Sequence, residues 1–291
     1  MNINTLIQDI QDRLKKPKKI KEEHLALFLD NLSDVLKVYL EKSRSDRKKA
    51  LRMSSIGKPD RRVWMEVNGP EREKELPADA LMRFLYGSII EELVLFLVRE
   101  AGHLVTSEQK EVNVNGVTGH LDCKIDGEVV DVKSASNYGF KKFKNGFDND
   151  DEFGYIGQLS GYVQAEDKDT GFFLAMNKAT GELALLEIDN FDIINAKGRI
   201  DTLRKTLNNK DGKPPPCAEP VADGKSGNKQ LARICRYCQF KFDCWPDVRL
   251  FKYSDSVKYI TTVEIEPIVK EVHCEAKLYL TYSMPYPCSK R

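Results

Sequence analysis

The chain has 291 residues and a mass of 33.2 kDa, with 41% hydrophobic and 31% charged positions, enough for a large core domain with appendages. Its 46 lysines and arginines stand against 45 acids, a net charge of +1, which excludes a globally basic nucleic-acid coat and leaves room only for local basic patches. No apolar run approaches the roughly 18 residues of a membrane span, and residues 1–23 are too charged for a secretory leader.

Residues 1–50 predict a charged helical region with a stripe at Leu25, Phe28, Leu29, Leu32, Leu36 and Leu40, ending in a charge run at 43–49. Residues 54–59 read as a loop beside Arg61 and Arg62. The strongest helix signal covers 80–101, with apolar positions at Leu81, Leu85, Ile89, Leu93, Phe96 and Leu97. Alternating stretches at 109–115, 117–125 and 128–134 predict strands. Residues 137–153 read as a loop in which Tyr138, Phe140 and Phe143 alternate with Lys141, Lys142 and Lys144. A helix at 154–166, strands at 171–177 and 182–188, and a helix at 190–208 follow. Residues 209–230 are rich in Gly, Pro, Asn and Asp, a loop or linker composition. The expected organisation is a helical region at 1–50, a core at 51–208, a cysteine segment at 209–250 and a weakly patterned tail at 251–291.

Asp126-Gly127 between alternating strands signals a two-residue type I′ hairpin. That turn sets Asp122 opposite Asp131 and His120 opposite Lys133, with Leu121, Cys123, Ile125, Val130 and Val132 on the other face. Opposed cross-strand carboxylates lie about 4.5–5.5 Å apart at Cβ and repel. A divalent cation relieves that repulsion, and hard oxygen ligands suit Mg²⁺ or Mn²⁺. Lys133 can then orient a water or stabilise charge developing on a phosphate. The alternative is a solvated polar face with a coincidental pairing. Upstream, Glu91 falls in line with Phe84, Gly87, Leu95 and Val98 at helical spacing, costly for a carboxylate unless it is paired or metal-bound. Glu92 sits nearer the polar edge. Gln158 and Tyr162, four apart, share a helix face.

In this order the segments 87–91 (GSIIE), 119–122 (GHLD), 131–133 (DVK) and 158–162 (QLSGY) resemble the PD-(D/E)XK nuclease superfamily, specifically its RecB-like exonuclease branch. The resemblance spans about residues 52–250, and phage-encoded members look most similar. It implies an α/β restriction-endonuclease-like core, a mixed central sheet flanked by helices. It also implies a metal site at Asp122, Asp131 and the Val132 carbonyl, with Lys133 as the catalytic lysine. Gln158 and Tyr162 would match the helix motif that assists the site and contacts DNA. Many members carry histidine where Glu91 stands; glutamate is also a ligand in the wider superfamily, so the metal count stays open.

Seven cysteines is an odd number, and four of them lie between Cys217 and Cys244, a pattern that suits reduced, metal-binding thiols rather than disulfides. Cys235-x2-Cys238-x5-Cys244 with Cys217 could hold an iron–sulfur cluster or zinc. The triplet resembles that of RecB-like nucleases in which it ligates [4Fe-4S]. In those relatives the fourth cysteine precedes the core. Here no cysteine precedes Cys123, Asp60 stands near that place, and Cys217 is the expected fourth ligand. Cys123 reads as a core residue. The aromatic–lysine loop with Tyr138, Lys141, Lys142 and Lys144 has a composition suited to single-stranded DNA, or is simply a solvated loop; Arg52 and Arg61 are second candidates for phosphate contact.

The expected function is therefore a divalent-metal-dependent exonuclease acting on DNA ends or single strands, in the cytoplasm of a bacterial or phage-infected cell. The rival is a non-catalytic DNA-binding module with a structural iron–sulfur or zinc site.

Overall fold

In the computed structural model, residues 2–41, 49–70, 78–147, 150–189, 192–210, 212–254 and 256–272 are described. They belong to two units, one drawn from Met1–Lys58 and Met82–Asn208, the other from Pro59–Leu81 and Asn209–Arg291. No helix among the described residues is long and apolar enough to cross a membrane.

The N-terminal region is helical as expected. Helix α1 (Leu6–Lys15) buries Leu6 and Ile10, one turn apart on one face. Helix α2 (Glu22–Leu40) has no fully buried residue. Its stripe is only half used: Phe28 packs on Phe96 at 5.1 Å, whereas Leu29, Leu36 and Leu40 stay exposed. Most of the 43–49 charge run lies outside the described residues. A helix that the sequence reading missed, α3 (Asp60–Asn68), follows Pro59 and buries Val63, Trp64 and Met65. Proline just ahead of an acidic first turn was the overlooked start signal.

Helix α4 (Ala78–Glu100) confirms the strongest helix signal, but its deeply buried face is Ile90, Val94, Leu95 and Val98. Apolar residues surround this helix, so periodicity alone did not select the face. The strands then follow as β1 (Val105–Thr106), β2 (Lys110–Val114), β3 (Val117–Leu121), β4 (Cys123–Ile125) and β5 (Glu128–Ala135). Helices α5 (Asn137–Asn145) and α6 (Tyr155–Ala165) lead to β6 (Gly171–Asn177), β7 (Leu183–Ile188) and α7 (Ala196–Asn208). Residues 137–145 are thus a helix, not part of a loop. Ser136 caps it by accepting the Gly139 N–H at 3.3 Å, and Phe140 and Phe143, three apart, are buried. The interleaving of aromatics and lysines was helical amphipathicity.

The central sheet has the order β1-β4-β5-β6-β7, antiparallel throughout except for the parallel β5–β6 pair. This mixed sheet is flanked by helices, and the chain between its two parallel strands runs through α5 and α6. Alternation divides β5 and β6 between two cores. Val130, Val132, Phe172 and Leu174 join Leu6, Ile10, Ile90, Val94 and Val98 in one cluster. On the opposite face Phe173 stacks among Phe143, Phe147 and Tyr155, with centroids 5.5–6.3 Å apart. Burial on both faces leaves β5 an unbroken buried run from Val129 to Val132 that includes one charge, Asp131.

Two polar ties hold α1 and α4. Buried His103 lies 2.6 Å from Asp126 and 3.1 Å from Asp9. Glu100 accepts from Arg13 at 2.6 Å and lies 2.8 Å from His24.

In the second unit, β8 (Val221–Ala222), β9 (Lys229–Gln230), β10 (Arg249–Lys252) and β11 (Val257–Thr262) form an antiparallel sheet in the order β10-β11-β9-β8. Two single-turn helices, α8 (Arg233–Arg236) and α9 (Lys241–Cys244), carry Cys235 and Cys244, and Cys238 lies between them. Leu231, Cys235, Phe242, Val248, Leu250 and Tyr259 form its core. Residues 249–262, read as weakly patterned, therefore supply two strands; at four and six residues they were too short to show a period.

Candidate active site

Asp126 and Gly127 both have positive φ, 52° and 90°, the backbone that a type I′ turn requires. The hairpin register is the expected one, with Cys123 opposite Val130 and Ile125 opposite Glu128. At Asp122 the chain breaks from the ladder, and the strand read as 117–125 divides into β3 and β4. Asp122 Oδ2 accepts the Val132 N–H at 2.9 Å, taking the place of a backbone acceptor. His120 does not oppose Lys133. Beyond the break β3 pairs with β2, so His120 faces Glu111 and is exposed.

Asp131 is fully buried, and Lys133 on the same face of β5 forms an ion pair with its Oδ2. From α6, Gln158 Nε2 donates to Tyr162 Oη at 3.0 Å and approaches Asp131 Oδ1 at 3.4 Å. Glu91 turns to the same place, and its Oε1 accepts from Gln109 Nε2 at 3.1 Å. Glu92 instead accepts from Asn31 of α2 at 2.9 Å. Val132 keeps its side chain in the core and its N–H on Asp122. The structure thus gathers Glu91, Asp122, Asp131, Lys133, Gln158 and Tyr162 in one place.

Two neighbours were not foreseen. Tyr155 presents its ring to Lys133 Nζ at 5.7 Å, and its position three before Gln158 was a usable signal. Gln109 sits in a turn with φ 49°, and no sequence signal pointed to it.

Helix α6 is positioned by its glycines. A Cβ on Gly157 would lie 2.3 Å from the Gly57 Cα, and one on Gly161 would lie 2.2 Å from Met53 Sδ. Only glycine lets this helix approach the 53–57 segment so closely. Gln158 and Tyr162 owe their depth beside β5 to that approach.

The electrostatics are those of an acidic pocket with one cation. Burial, then Asp122, pushes the Glu91 carboxyl up to about 8. Burial pushes Asp131 up to about 7 against the pull of Lys133. Burial disfavours the Lys133 ammonium, but Asp131 and Asp122 outweigh it and the group is held above its ordinary range. The Tyr162 phenol is raised by burial and by Asp131.

The hard carboxylate donors fit Mg²⁺ or Mn²⁺, which would replace protons that the pocket otherwise retains near neutrality. Among the described residues, however, no three His, Cys, Asp or Glu side chains stand in a metal-holding group. Lys133, the Val132 N–H and Gln109 each hold an oxygen of the three carboxylates instead.

These shifts set a pH dependence. Glu91 and Asp131, raised on folding, hold protons that the unfolded chain has lost, so their stability contribution falls as pH climbs toward 8. For Asp126, burial is outweighed by hydrogen bonds from His103 and the Leu104 N–H; for Glu100, by those from Arg13 and His24. Both carboxyls are held low, so their contribution is present above the unfolded values and lost as pH falls through the folded ones. Thermal unfolding without divalent metal will therefore have its highest midpoint near about pH 5. A midpoint that climbs steadily from there to pH 8 contradicts the site's electrostatics.

In the second unit Cys217, Cys235, Cys238 and Cys244 are within electrostatic reach of one another. Burial and the other three raise the Cys217 thiol to about 12. Each sulfur meets an N–H: from Arg62 at Cys217, Ala218 at Cys235, Phe240 at Cys238 and Arg61 Nε at Cys244. They too fall outside any metal-holding group, so the expected thiolate cage is not preformed. Asp60 opens α3 in this unit. Cys123 is buried in the central core as expected, and Cys274 and Cys288 lie outside the described residues.

The expected DNA-contact residues are dispersed. Arg61 is buried and donates to Cys244 Sγ and the Pro214 carbonyl, so it does not present its guanidinium to solvent. Arg52 is half-buried. On α5, Tyr138 and Lys141 are exposed, while Lys142 pairs with Asp150 at 2.8 Å and Lys144 with Glu182 at 2.6 Å.

Fold and site thus define an α/β protein whose mixed sheet carries a carboxylate–lysine centre. No family model matches the chain, and no curated protein matches it. Among solved structures, SSO0001 overlaps with TM-score 0.40 at 16% identity, over 75% of this chain and 96% of that one. An alkaline exonuclease, LHK-Exo from Laribacter hongkongensis, overlaps with TM-score 0.35 at 16% identity, over 66% and 92% of the two chains. LHK-Exo in complex with dAMP gives 0.34 at 15% identity, with the same shares. Overlaps this loose leave the sheet order and the site geometry to define the molecule.

Proposed function

We propose that the chain is a divalent-metal-dependent DNA exonuclease of the RecB-like branch of the PD-(D/E)XK superfamily, hydrolysing phosphodiester bonds at ends or in single strands. The observation that carries this reading is the fully buried Asp131 paired with Lys133, with Asp122 and Glu91 turned to the same place. A structural core does not bury one cation among three carboxylates without a use for the excess charge.

Glu91, Asp122 and Asp131 would hold Mg²⁺ or Mn²⁺, together with the Val132 carbonyl. The bound metal supplies Lewis-acid polarisation of the phosphate and a water of lowered pKa. Lys133 faces the charge that develops on the phosphate oxygens. Gln158 approaches Asp131 from the α6 side and is itself held by Tyr162, so the two position the central carboxylate. The cytoplasm of a bacterial or phage-infected cell is the expected setting. A non-catalytic DNA-binding module is the rival, disfavoured because Asp122, Asp131 and Lys133 all persist. Digestion of end-labelled single- and double-stranded DNA with Mg²⁺, Mn²⁺ or EDTA decides. Metal-dependent shortening from ends supports the proposal, and binding without shortening supports the rival.

The second unit would carry a structural [4Fe-4S] cluster, or zinc, on Cys217, Cys235, Cys238 and Cys244. Support comes from four cysteines within electrostatic reach of one another, each sulfur already met by an N–H donor. Cys235→Ser, Cys238→Ser and Cys244→Ser will lower metal content and solubility together, while Cys274→Ser will change neither. Cys217→Ser tests the fourth ligand; unchanged metal content there passes the role to another group, with Asp60 first to test. Iron and labile sulfide analysis after anaerobic purification separates the cluster from zinc.

A further inference from the structure

The three carboxylates of the centre are held in different ways. Asp131 has the Lys133 ammonium and Asp122 has the Val132 N–H, both supplied by β5 itself. Glu91 comes from α4, and among the described residues its one hydrogen-bond donor is Gln109, whose Nε2 stands 3.1 Å from Oε1. Gln109 belongs to a turn ahead of β2, closed by the Lys110 N–H donating to the Ser107 carbonyl at 3.3 Å. The β2–β3 register pairs Lys110 with Leu121, so Gln109 falls opposite Asp122. Its backbone N–H donates to the Asp122 carbonyl at 3.1 Å. One residue thus bonds to Asp122 through its backbone and to Glu91 through its side chain. Its neighbours pin the turn: Glu108 ion-pairs with Arg99 of α4, and Lys110 pairs at 2.5 Å with Glu166, just past α6.

The backbone makes this side chain informative. Ser107 and Gln109 both have positive φ, 56° and 49°. That region favours glycine, with asparagine the usual substitute. Gln109 is neither, and its side chain, one methylene longer than asparagine, is the one that reaches Glu91. The amide is also neutral. It orients a carboxylate oxygen by hydrogen bonding without cancelling the charge, as a lysine or arginine there would, so the charge stays available to a cation.

We propose that Gln109 is a positioning residue for Glu91: it fixes one carboxylate oxygen and leaves the other for the divalent ion shared with Asp122 and Asp131. The inference rests on the nuclease reading and deepens it. Gln109 touches neither ion nor substrate in this role and acts through Glu91 alone.

Titration of free Mn²⁺ by electron paramagnetic resonance, without substrate, tests the role apart from turnover. Gln109→Gly and Gln109→Leu should each weaken Mn²⁺ binding about 10- to 100-fold. Gln109→Gly should nevertheless unfold near the wild-type midpoint, because it keeps the backbone N–H to Asp122 and suits the left-handed backbone. Lys110→Ala, which loosens the turn but keeps the amide, should bind Mn²⁺ like the wild type. In a Glu91→Gln background, adding Gln109→Gly should change the isotherm no further, since the group it acts through is already gone. If the wild type binds Mn²⁺ saturably and Gln109→Gly binds it equally well, the positioning role is wrong and the nuclease reading stands. A further loss of affinity in the double variant also overturns it, because the effect would not pass through Glu91. If the wild type neither binds Mn²⁺ nor cleaves DNA, the nuclease reading falls and takes this role with it.

Discussion

Asp131→Asn will abolish metal-dependent DNA cleavage, a loss on the order of 10³-fold or more, while leaving the protein folded. The activity goes because the substitution removes the charge of the central carboxylate. Stability survives because that charge is costly in the fold: Asp131 is fully buried and its carboxyl is pushed up to about 7. An amide of the same volume removes the cost, and Lys133 keeps Asp122 as a counterion. The midpoint without metal should therefore hold or rise, and its decline toward alkaline pH should flatten.

Lys133→Met acts in the opposite direction on stability. It strips the single cation from three carboxylates, and breaking a fully buried ion pair costs about 3–5 kcal/mol. The cost here will be smaller, because the Lys133 side chain is 19% exposed and Asp131 can take up a proton instead. Turnover kinetics and thermal unfolding on the two variants separate these effects. Cleavage at the wild-type rate by Asp131→Asn would remove the site from consideration.

Gly157→Ala will be strongly destabilising, about 3 kcal/mol or more by denaturant unfolding. The added carbon would meet the Gly57 Cα at 2.3 Å and its N at 2.6 Å. Backbone cannot rotate aside as a side chain does, so α6 must lift from the 53–57 segment. Lifting it displaces Gln158, and hence activity should fall even in the fraction that stays folded. Gly181→Ala is the control. Its φ of 74° costs strain, but nothing lies within 4 Å of the added carbon, and the site is untouched. An equal, mild loss from both would mean that the close approach of α6 does not hold the site together.

The parts of the molecule that were legible in the sequence have local physical causes. Asp126-Gly127 determines its own turn, and the turn determines the register from Cys123 to Val130. Alternation along β5 set Asp131 and Lys133 on one face and Val130 and Val132 on the other, but it did not show that both faces are buried. Helix α4 was visible as an element, but its buried face was not, because apolar residues surround it. The illegible parts depend on distant partners. Residues 137–145 looked like a basic loop until Phe140 and Phe143 had a sheet to pack against. His120 was assigned to the wrong partner because nothing local announced the break at Asp122. Arg61 looked like a phosphate ligand, and only folding brings Cys244 to its guanidinium. Gln109 reaches Glu91 from a turn 18 residues away. At the candidate site, residue types and order were readable, whereas the protein donors that hold each carboxylate were not.

The central claim is that Glu91, Asp122 and Asp131 together hold the divalent ion on which cleavage depends. Titration of free Mn²⁺ by electron paramagnetic resonance tests it without any substrate. The wild type should deplete the free-ion signal saturably at neutral pH, Asp131→Asn and Glu91→Gln should do so far more weakly, and Glu92→Gln, whose carboxylate faces Asn31, should match the wild type. Identical Mn²⁺ isotherms for the wild type and Asp131→Asn would contradict it.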